Sequence, residues 1–370
     1  MGLNTFLSTD PDLLTIEEIS LRVAEIYRNV TYARDPMFRW VQIVNDVTIL
    51  GEEVRRNEVS RALDRAGKVL MRLLDFIGYH LSIHEIAEGR ESFADAVALA
   101  LRAPSYLDYL DDGAPREGLS RWIYVKYPHA CSKCGQSPCH CVVTPWVFED
   151  RRENPGPYEE LRDRANDART QLRETVTREF TPAKLVDFFV KIYRNQYYNQ
   201  EPWKVAMHLT EELGEATIEL SRLQVLREYE LSGQSVEGPI LEKMMNEAHA
   251  RVHATLGSDS KKAQERADAN LTRISTAISG DQPFSVLYGM IGEKLKEELA
   301  DVASWFAAVV YNLESRSYED AVSEMVKRYV DKTGSGYRFR CAWCHNEHCS
   351  DDCLVTNNFA GEVVEHALKF

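Results

Sequence analysis

The sequence has no apolar run approaching the roughly 18–20 residues that a membrane-spanning helix needs. Its first ten residues lack the basic and then apolar arrangement of a secretory signal peptide. It also lacks an excess of positive charge, since the formal net charge is −14. A nucleic-acid-binding protein needs a basic surface, so that class is disfavoured along with membrane and exported proteins. We therefore expect a cytoplasmic protein without a membrane partner, although a nucleotide substrate stays open because metal ions can supply positive charge locally.

Cysteine is absent from most of the chain, and its 8 residues fall into two clusters. The clusters consist of Cys131, Cys134, Cys139 and Cys141, and of Cys341, Cys344, Cys349 and Cys353. Four-cysteine groups built on C-x-x-C, in a chain without an export signal, predict two structural zinc sites in which no coordination position is left for catalysis. The alternative, two redox-active C-x-x-C pairs, lacks the strand-and-helix context of such pairs.

Alternating β-strand patterns are scarce, and apolar residues recur at helical spacing almost throughout. The sequence therefore predicts an all-α fold. The predicted helices lie near 15–30, 37–56, 58–86, 92–101, 158–177, 182–195, 203–230, 239–277, 284–313 and 318–331.

The chain contains an internal duplication. Residues 26–29 and 192–195 both read Ile-Tyr-Arg-Asn. Further pairs of landmarks follow in the same order: Trp40 and Trp203, 50–52 and 213–215, 73–75 and 299–301, and 93–97 and 318–322. Each copy then ends in its cysteine cluster. We expect two homologous halves, 10–145 and 181–358, with zinc knuckles at 131–141 and 341–353 and a linker helix at 146–180.

Acidic residues gather at 211–215 and 298–301, on two predicted helices of the second half, and neither of these two short segments contains a basic residue. They are Glu211, Glu212, Glu215, Glu298 and Asp301. A solvated face is the ordinary explanation of a single surface Glu, but Lys294, Trp305 and Asn312 lie in line with the acids of the second helix. Carboxylates gathered in this way repel one another. A hard divalent cation such as Mg²⁺ is the usual counter-charge, and it most often serves phosphate chemistry.

The E-E-x-x-E and E-x-x-D arrangement at 211–215 and 298–301 resembles the MazG-like all-α nucleoside triphosphate pyrophosphohydrolases. The resemblance covers most of 180–331, and 20–101 through the duplication. It implies a Mg²⁺-dependent enzyme that cleaves a (deoxy)nucleoside triphosphate to a monophosphate and pyrophosphate. It also implies paired helical halves, so that the two copies form a pseudo-dimer within one chain.

The resemblance implies specific roles for residues of the second half. Glu212, Glu215, Glu298 and Asp301 would hold Mg²⁺, Glu211 would orient or deprotonate the attacking water, and Lys294 and Lys327 would stabilise the leaving pyrophosphate. The candidates for nucleotide binding are Tyr198, Trp203, His208, Trp305 and Asn312. Each aromatic residue is also a candidate for the hydrophobic core.

The two halves differ at the acid positions. Thr48, Ile49 and Arg72 stand where the second half has Glu211, Glu212 and Glu298, while Glu52 and Asp75 are kept. We therefore expect the first half to be a catalytically inactive copy.

The second half also differs from the family in carrying an insertion, at about 228–280, between its two acidic segments. This segment is either a cap or partner-binding arm or a solvated helical excursion. The alternative function is a non-catalytic nucleotide sensor or scaffold that binds a protein partner through this insertion. A homo-oligomer is also a possible assembly. Zinc knuckles that bind nucleic acid are a third possibility, which the net charge disfavours.

Overall fold

The structure is a computed structural model. It describes residues 14–27, 35–82, 93–103, 118–127, 130–131, 137–139, 180–198, 200–233 and 283–313, together with the single residues 246, 268 and 272. Helices account for nearly all of these ranges, which contain no strand, so the predicted all-α class is confirmed for them. The helices are α1 (Ile16–Ile26), α2 (Pro36–Arg55), α3 (Val59–Ser82), α4 (Phe93–Arg102), α5 (Leu119–Lys126), α6 (Pro182–Tyr198), α7 (Pro202–Ser232) and α8 (Pro283–Leu313).

The first two helices begin where the sequence supplies capping residues. Thr15 and Glu18 form a reciprocal capping box at the start of α1, with the Thr15 backbone N–H donating to Glu18 Oε2 at 2.8 Å. Asp35 accepts from the backbone N–H of Met37 at 2.8 Å and is followed by Pro36 at the first position of α2. Local chemistry thus sets the entry of the first two helices.

The short helix α5 is not among the helices predicted from the sequence. Its residues, LSRWIYVK, include aromatic and β-branched side chains that favour a helix only weakly. Tertiary contacts hold it instead: Glu17 of α1 accepts from the Ser120 backbone N–H at 2.8 Å and from Ser120 Oγ at 2.9 Å. The carboxylate therefore satisfies a donor at the start of α5 that no side chain of its own turn satisfies.

Each half contains an antiparallel helix pair. In the first, α2 and α3 are joined by the ion pair between Arg65 Nη1 and Asp46 Oδ1 at 2.6 Å. In the second, α7 and α8 run antiparallel, since His208 near the start of α7 stacks on Trp305 near the end of α8. At the other end, Tyr288 donates to Glu230 at 2.7 Å.

The two pairs meet where α2 packs against α7. Trp40, which is 1 % exposed, donates through Nε1 to Thr217 Oγ1 at 2.7 Å. A Cβ at Gly51 would lie 3.8 Å from the Cβ of Ala206. The early residue of α2 thus meets the later residue of α7, so these two helices are also antiparallel.

Helix α8 is the centre of the described fold, because α3, α4, α5, α6 and α7 all pack against it. Its contact with α4 is close: a Cβ added at Gly292 would lie 2.0 Å from the backbone oxygen of Ala100. One hydrophobic cluster extends from α1 to α8 and includes buried residues of both predicted halves. No described helix is long and apolar enough to cross a membrane.

The structure extends α7 into the first residues of the predicted insertion. Leu226 and Arg227 are buried, Arg227 pairs with Glu230 at 2.7 Å, and the helix ends at Gly233 with a φ of 66°. A positive φ of this kind is the usual helix-ending conformation of glycine. The rest of the insertion, apart from the three single residues, and the predicted helices 158–177, 239–277 and 318–331 lie outside the described residues.

Candidate functional site

Three of the four predicted metal ligands converge between α7 and α8. Glu212, Glu215 and Glu298 each offer a carboxylate oxygen, and these oxygens all lie within 4.8 Å of one another. Glu212 and Glu215 are three residues apart and so share one face of α7. The antiparallel packing places Glu298 of α8 opposite them. We call these three residues the acid group.

Burial and mutual repulsion disfavour the charged forms of the carboxylates in the acid group. Burial, followed by the nearby carboxylates of Asp301 and Glu215, raises the pKa of Glu212 to about 7. The side chain of Glu298 is 1 % exposed and forms an ion pair with Lys294 one turn earlier on α8. Oxygen donors with this excess of charge suit a hard divalent cation such as Mg²⁺.

Asp301, the fourth predicted ligand, lies beside the acid group but is held by a different part of the chain. Its Oδ2 accepts from Lys126 Nζ and its Oδ1 accepts from the hydroxyl of Tyr127. Lys126 Nζ also donates to the backbone oxygen of Glu297 at 3.3 Å. Burial raises the pKa of Asp301, while Lys126 and Tyr127 act in the opposite direction. Both oxygens of Asp301 therefore already have donors.

Two of the predicted nucleotide-binding residues form an aromatic pair at the edge of the acid group. The rings of His208 and Trp305 are stacked, with centroids 4.4 Å apart and planes inclined by 22°. Trp305 Nε1 donates to Glu212 Oε1 at 3.1 Å, which ties the pair to the acid group. The His208 side chain is 42 % exposed, so its ring is the outer member of the pair.

Among the described residues, three further predicted site residues lie outside the acid group. Glu211 is 64 % exposed and its Oε2 lies 3.2 Å from His208 Nδ1. Trp203 is 41 % exposed and donates to Glu201, while Asn312 donates to the Ala308 backbone oxygen at 2.8 Å on its own helix. The roles proposed for these three residues stay predictions. Tyr198 ends α6, and its side chain, like the whole of Lys327, lies outside the described residues.

The corresponding region of the first half has an arrangement of ion pairs instead of an acid group. Arg72, in place of Glu298, lies 2.9 Å from Asp46 Oδ2 and donates to Gln42 Oε1 at 2.7 Å. Arg39 and Asp75 form a second buried ion pair. Among the described residues of this region, the carboxylates of Asp46 and Asp75 are therefore paired with arginine side chains.

The predicted zinc ligands are only partly described. Cys131 and Cys139 are buried, and the backbone N–H of Cys139 donates to the Ile192 carbonyl of α6 at 2.6 Å. The first cluster's segment is thus attached to a helix of the second half. The other six predicted ligands, Cys134, Cys141, Cys341, Cys344, Cys349 and Cys353, lie outside the described residues.

Lys126 and Tyr127 are the site residues that the sequence did not reveal. Lys126 is separated from Asp301 by 175 positions, and no motif or repeat connects the two. Their contact depends on the packing of α5 against α8. The ion pairs of Arg39 and Asp46 could not be predicted for the same reason, since only the α2–α3 packing brings them to their partners.

Comparisons with models of known protein families, with curated proteins and with solved structures give no match to this chain.

Proposed function

We propose that the chain is a Mg²⁺-dependent nucleotide pyrophosphohydrolase that cleaves a (deoxy)nucleoside triphosphate to a monophosphate and pyrophosphate. The observation that carries the proposal is the convergence of Glu212, Glu215 and Glu298 within 4.8 Å between two antiparallel helices. Exposed acidic groups are common without a metal. This group is distinguished by the burial of Glu298 and by the pKa of about 7 at Glu212.

The donor set fits Mg²⁺. Glu212, Glu215 and Glu298 would hold the ion, with Asp301 beside them. When bound, Mg²⁺ would supply positive charge to the triphosphate oxygens and make a coordinated water more acidic. In the reaction, the oxygen of water bonds to the α-phosphorus, and one proton of that water passes to Glu211, the predicted base. The bond from the phosphorus to the bridging oxygen breaks, and pyrophosphate leaves with the electron pair.

The chain's own residues supply the other requirements. Lys294, beside Glu298, is placed to stabilise negative charge at the acid group. The stacked pair of His208 and Trp305 offers an aromatic surface on which a base can stack, next to Glu212. Base recognition is therefore proposed at the edge of the acid group.

The first half is proposed to be an inactive copy that replaces the second subunit of a dimer. Two observations support this: α2 and α7, which correspond in the duplication, pack antiparallel, and the ion pairs of Arg72 and Arg39 occupy the place of the acid group. The two cysteine clusters are proposed to bind one structural Zn²⁺ each.

The proposal is tested by incubating the protein with Mg²⁺ and a panel of nucleoside triphosphates and identifying the products. We expect monophosphate and pyrophosphate. Glu215→Gln should lower kcat/KM by at least about a hundredfold, because it removes a metal ligand.

Glu52→Gln is the matched control, since Glu52 corresponds to Glu215 in the duplication but pairs at the surface with Arg56. It should change kcat/KM less than about threefold, as expected for an exposed ion pair. Equal losses in both variants would contradict the inactive-copy assignment. Binding of Mg²⁺–nucleotide without any product would instead support the sensor alternative and contradict the proposed enzyme.

A further inference from the structure

We propose that Lys126 and Tyr127, which belong to the first half, are positioning residues of the candidate site. They fix the orientation of the Asp301 carboxylate beside Glu212, Glu215 and Glu298, where the cation would bind. This inference rests on the proposed function, and it leaves Asp301 the metal-binding role that the family resemblance implies. It also makes the first half a necessary part of the site in the second half.

The first argument is the pair of donors that hold Asp301. Its two carboxylate oxygens accept hydrogen bonds from two different side chains, Lys126 and Tyr127. The side chains of Lys126 and Asp301 are 19 % and 16 % exposed, so the pair is largely shielded from water. A charged hydrogen bond in such surroundings is strong. Each oxygen keeps a second lone pair, so Asp301 can face a cation, but in the orientation that these two donors set.

The second argument is the fixed position of α5. At its start, Ser120 is bonded to Glu17, and Ser120 Oγ accepts from the Phe180 backbone N–H at 3.0 Å. In its middle, the Tyr124 ring stacks on Phe180 with centroids 4.6 Å apart. The donors of α5 are therefore pre-oriented before a ligand binds, and they are not carried on a mobile loop.

The end of α5 is held just as firmly by α6. Tyr127 is 5 % exposed, and its ring meets Phe189 and Tyr193 edge to face at 5.2 and 5.9 Å between centroids. These contacts aim the Tyr127 hydroxyl at α8.

The third argument is charge. The acid group and Asp301 carry four formal negative charges, and Lys126 and Lys294 supply two positive charges. Lys294 also lies 3.7 Å from Glu297, so an excess of negative charge remains at the site and favours a cation. Burial and nearby carboxylates raise the pKa of Glu212, and the charge of Lys126 opposes this rise. The charge of Lys126 therefore acts on the acid group as well as on Asp301. Removing that charge should therefore change how strongly the acid group attracts a cation.

The test measures Mn²⁺ binding by electron paramagnetic resonance of free Mn²⁺, alongside kcat and KM for nucleotide hydrolysis. Lys126→Met, which keeps the apolar stem, should bind Mn²⁺ about tenfold more tightly, because a positive charge beside Asp301 is lost. In the same variant kcat should fall at least about tenfold, since Asp301 is no longer held in one orientation. Lys126→Arg keeps the positive charge and should leave Mn²⁺ affinity within about twofold of the wild type.

Lys191→Met is the matched control, because Lys191 is 71 % exposed on the neighbouring helix α6. It should change neither quantity. A double mutant separates positioning from a general structural effect. If Lys126 acts through Asp301, then Lys126→Met should change Mn²⁺ affinity less than about threefold in the Asp301→Asn background.

Unchanged Mn²⁺ affinity and kcat in Lys126→Met would overturn the inference, and so would an undiminished effect in the Asp301→Asn background. If Lys126→Met does not fold, Tyr127→Phe decides in its place and should also bind Mn²⁺ more tightly than the wild type. A wild-type protein that binds Mn²⁺ but hydrolyses no nucleotide would contradict the proposed enzyme alone, since the Mn²⁺ titrations still decide the inference. A wild-type protein that binds no Mn²⁺ would overturn both.

Discussion

Replacing Glu212 by Gln should stabilise the metal-free protein at alkaline pH. Burial and nearby carboxylates raise the pKa of Glu212 from 4.5 to about 7, so the folded state holds this proton more tightly than the unfolded chain does. Stability without divalent ions should therefore fall as the pH rises from about 4.5 to about 7, because the unfolded state has already lost the proton that folding retains. Gln does not titrate, and its amide oxygen can still accept from Trp305.

The magnitude follows from the size of the pKa shift. At about 1.4 kcal/mol per pKa unit, a shift from 4.5 to about 7 is worth at most about 3.5 kcal/mol. Because Glu212 is only half-buried, solvent screening reduces the expected difference to about 1–2 kcal/mol. We thus expect Glu212→Gln to exceed the wild type by about 1–2 kcal/mol at pH 8 in chelator, with the advantage disappearing near pH 4.5.

The assay is urea unfolding followed by circular dichroism at several pH values, with and without Mg²⁺. Glu211→Gln is the control, because its side chain is 64 % exposed and should give a pH profile parallel to that of the wild type. Mg²⁺ should stabilise the wild type at pH 8 and affect Glu212→Gln much less. The reasoning would be refuted if Glu212→Gln were no more stable than the wild type at pH 8, or if its advantage did not change with pH.

Two further predictions concern packing and the cysteine clusters. Gly292→Ala should lower the free energy of unfolding by about 2 kcal/mol or more, because its Cβ would lie 2.0 Å from the Ala100 oxygen. Gly214→Ala, with nothing within 4 Å of its Cβ, should instead stabilise the helix by up to about 1 kcal/mol. Similar urea midpoints for the two variants would contradict the close α4–α8 contact. Elemental analysis should find about two zinc ions per chain and about one in Cys139→Ser, whereas a zinc-free wild type would rule out the structural zinc sites.

Much of the described fold could be predicted because an amphipathic helix requires apolar residues at a regular spacing in the sequence. The apolar spacing located α7 and α8, and the acids at 211–215 and 298–301 located the candidate site on them. Carboxylates three residues apart share a helix face wherever that helix packs. Glu212 and Glu215 therefore share a face wherever that helix packs, whereas their meeting with Glu298 depends on the face and register with which α8 packs against α7.

Other features could not be predicted because they depend on neighbours that are distant in the sequence. Helix α5 has weak intrinsic helix preference and is stabilised through Glu17 and Phe180. Glu211 and Glu212 are adjacent in the motif, yet about 100° of helix rotation separates them, and only the packing decides that Glu212 is the inner residue. The exposure of Trp203 is likewise decided by packing, since its counterpart Trp40 is buried against α7.

The sequence by itself determined the all-α class of the described residues, the duplicated landmarks and the two segments that carry the acid group, because these depend on residue type and local spacing. Only the tertiary structure decided which acids come together, how the first half balances its own charges, and that Lys126 meets Asp301 across 175 positions. The physical reason is that charges and hydrogen bonds act over a few ångströms in space. Helical periodicity specifies which face of a helix a side chain occupies, but not which partner the folded chain places there.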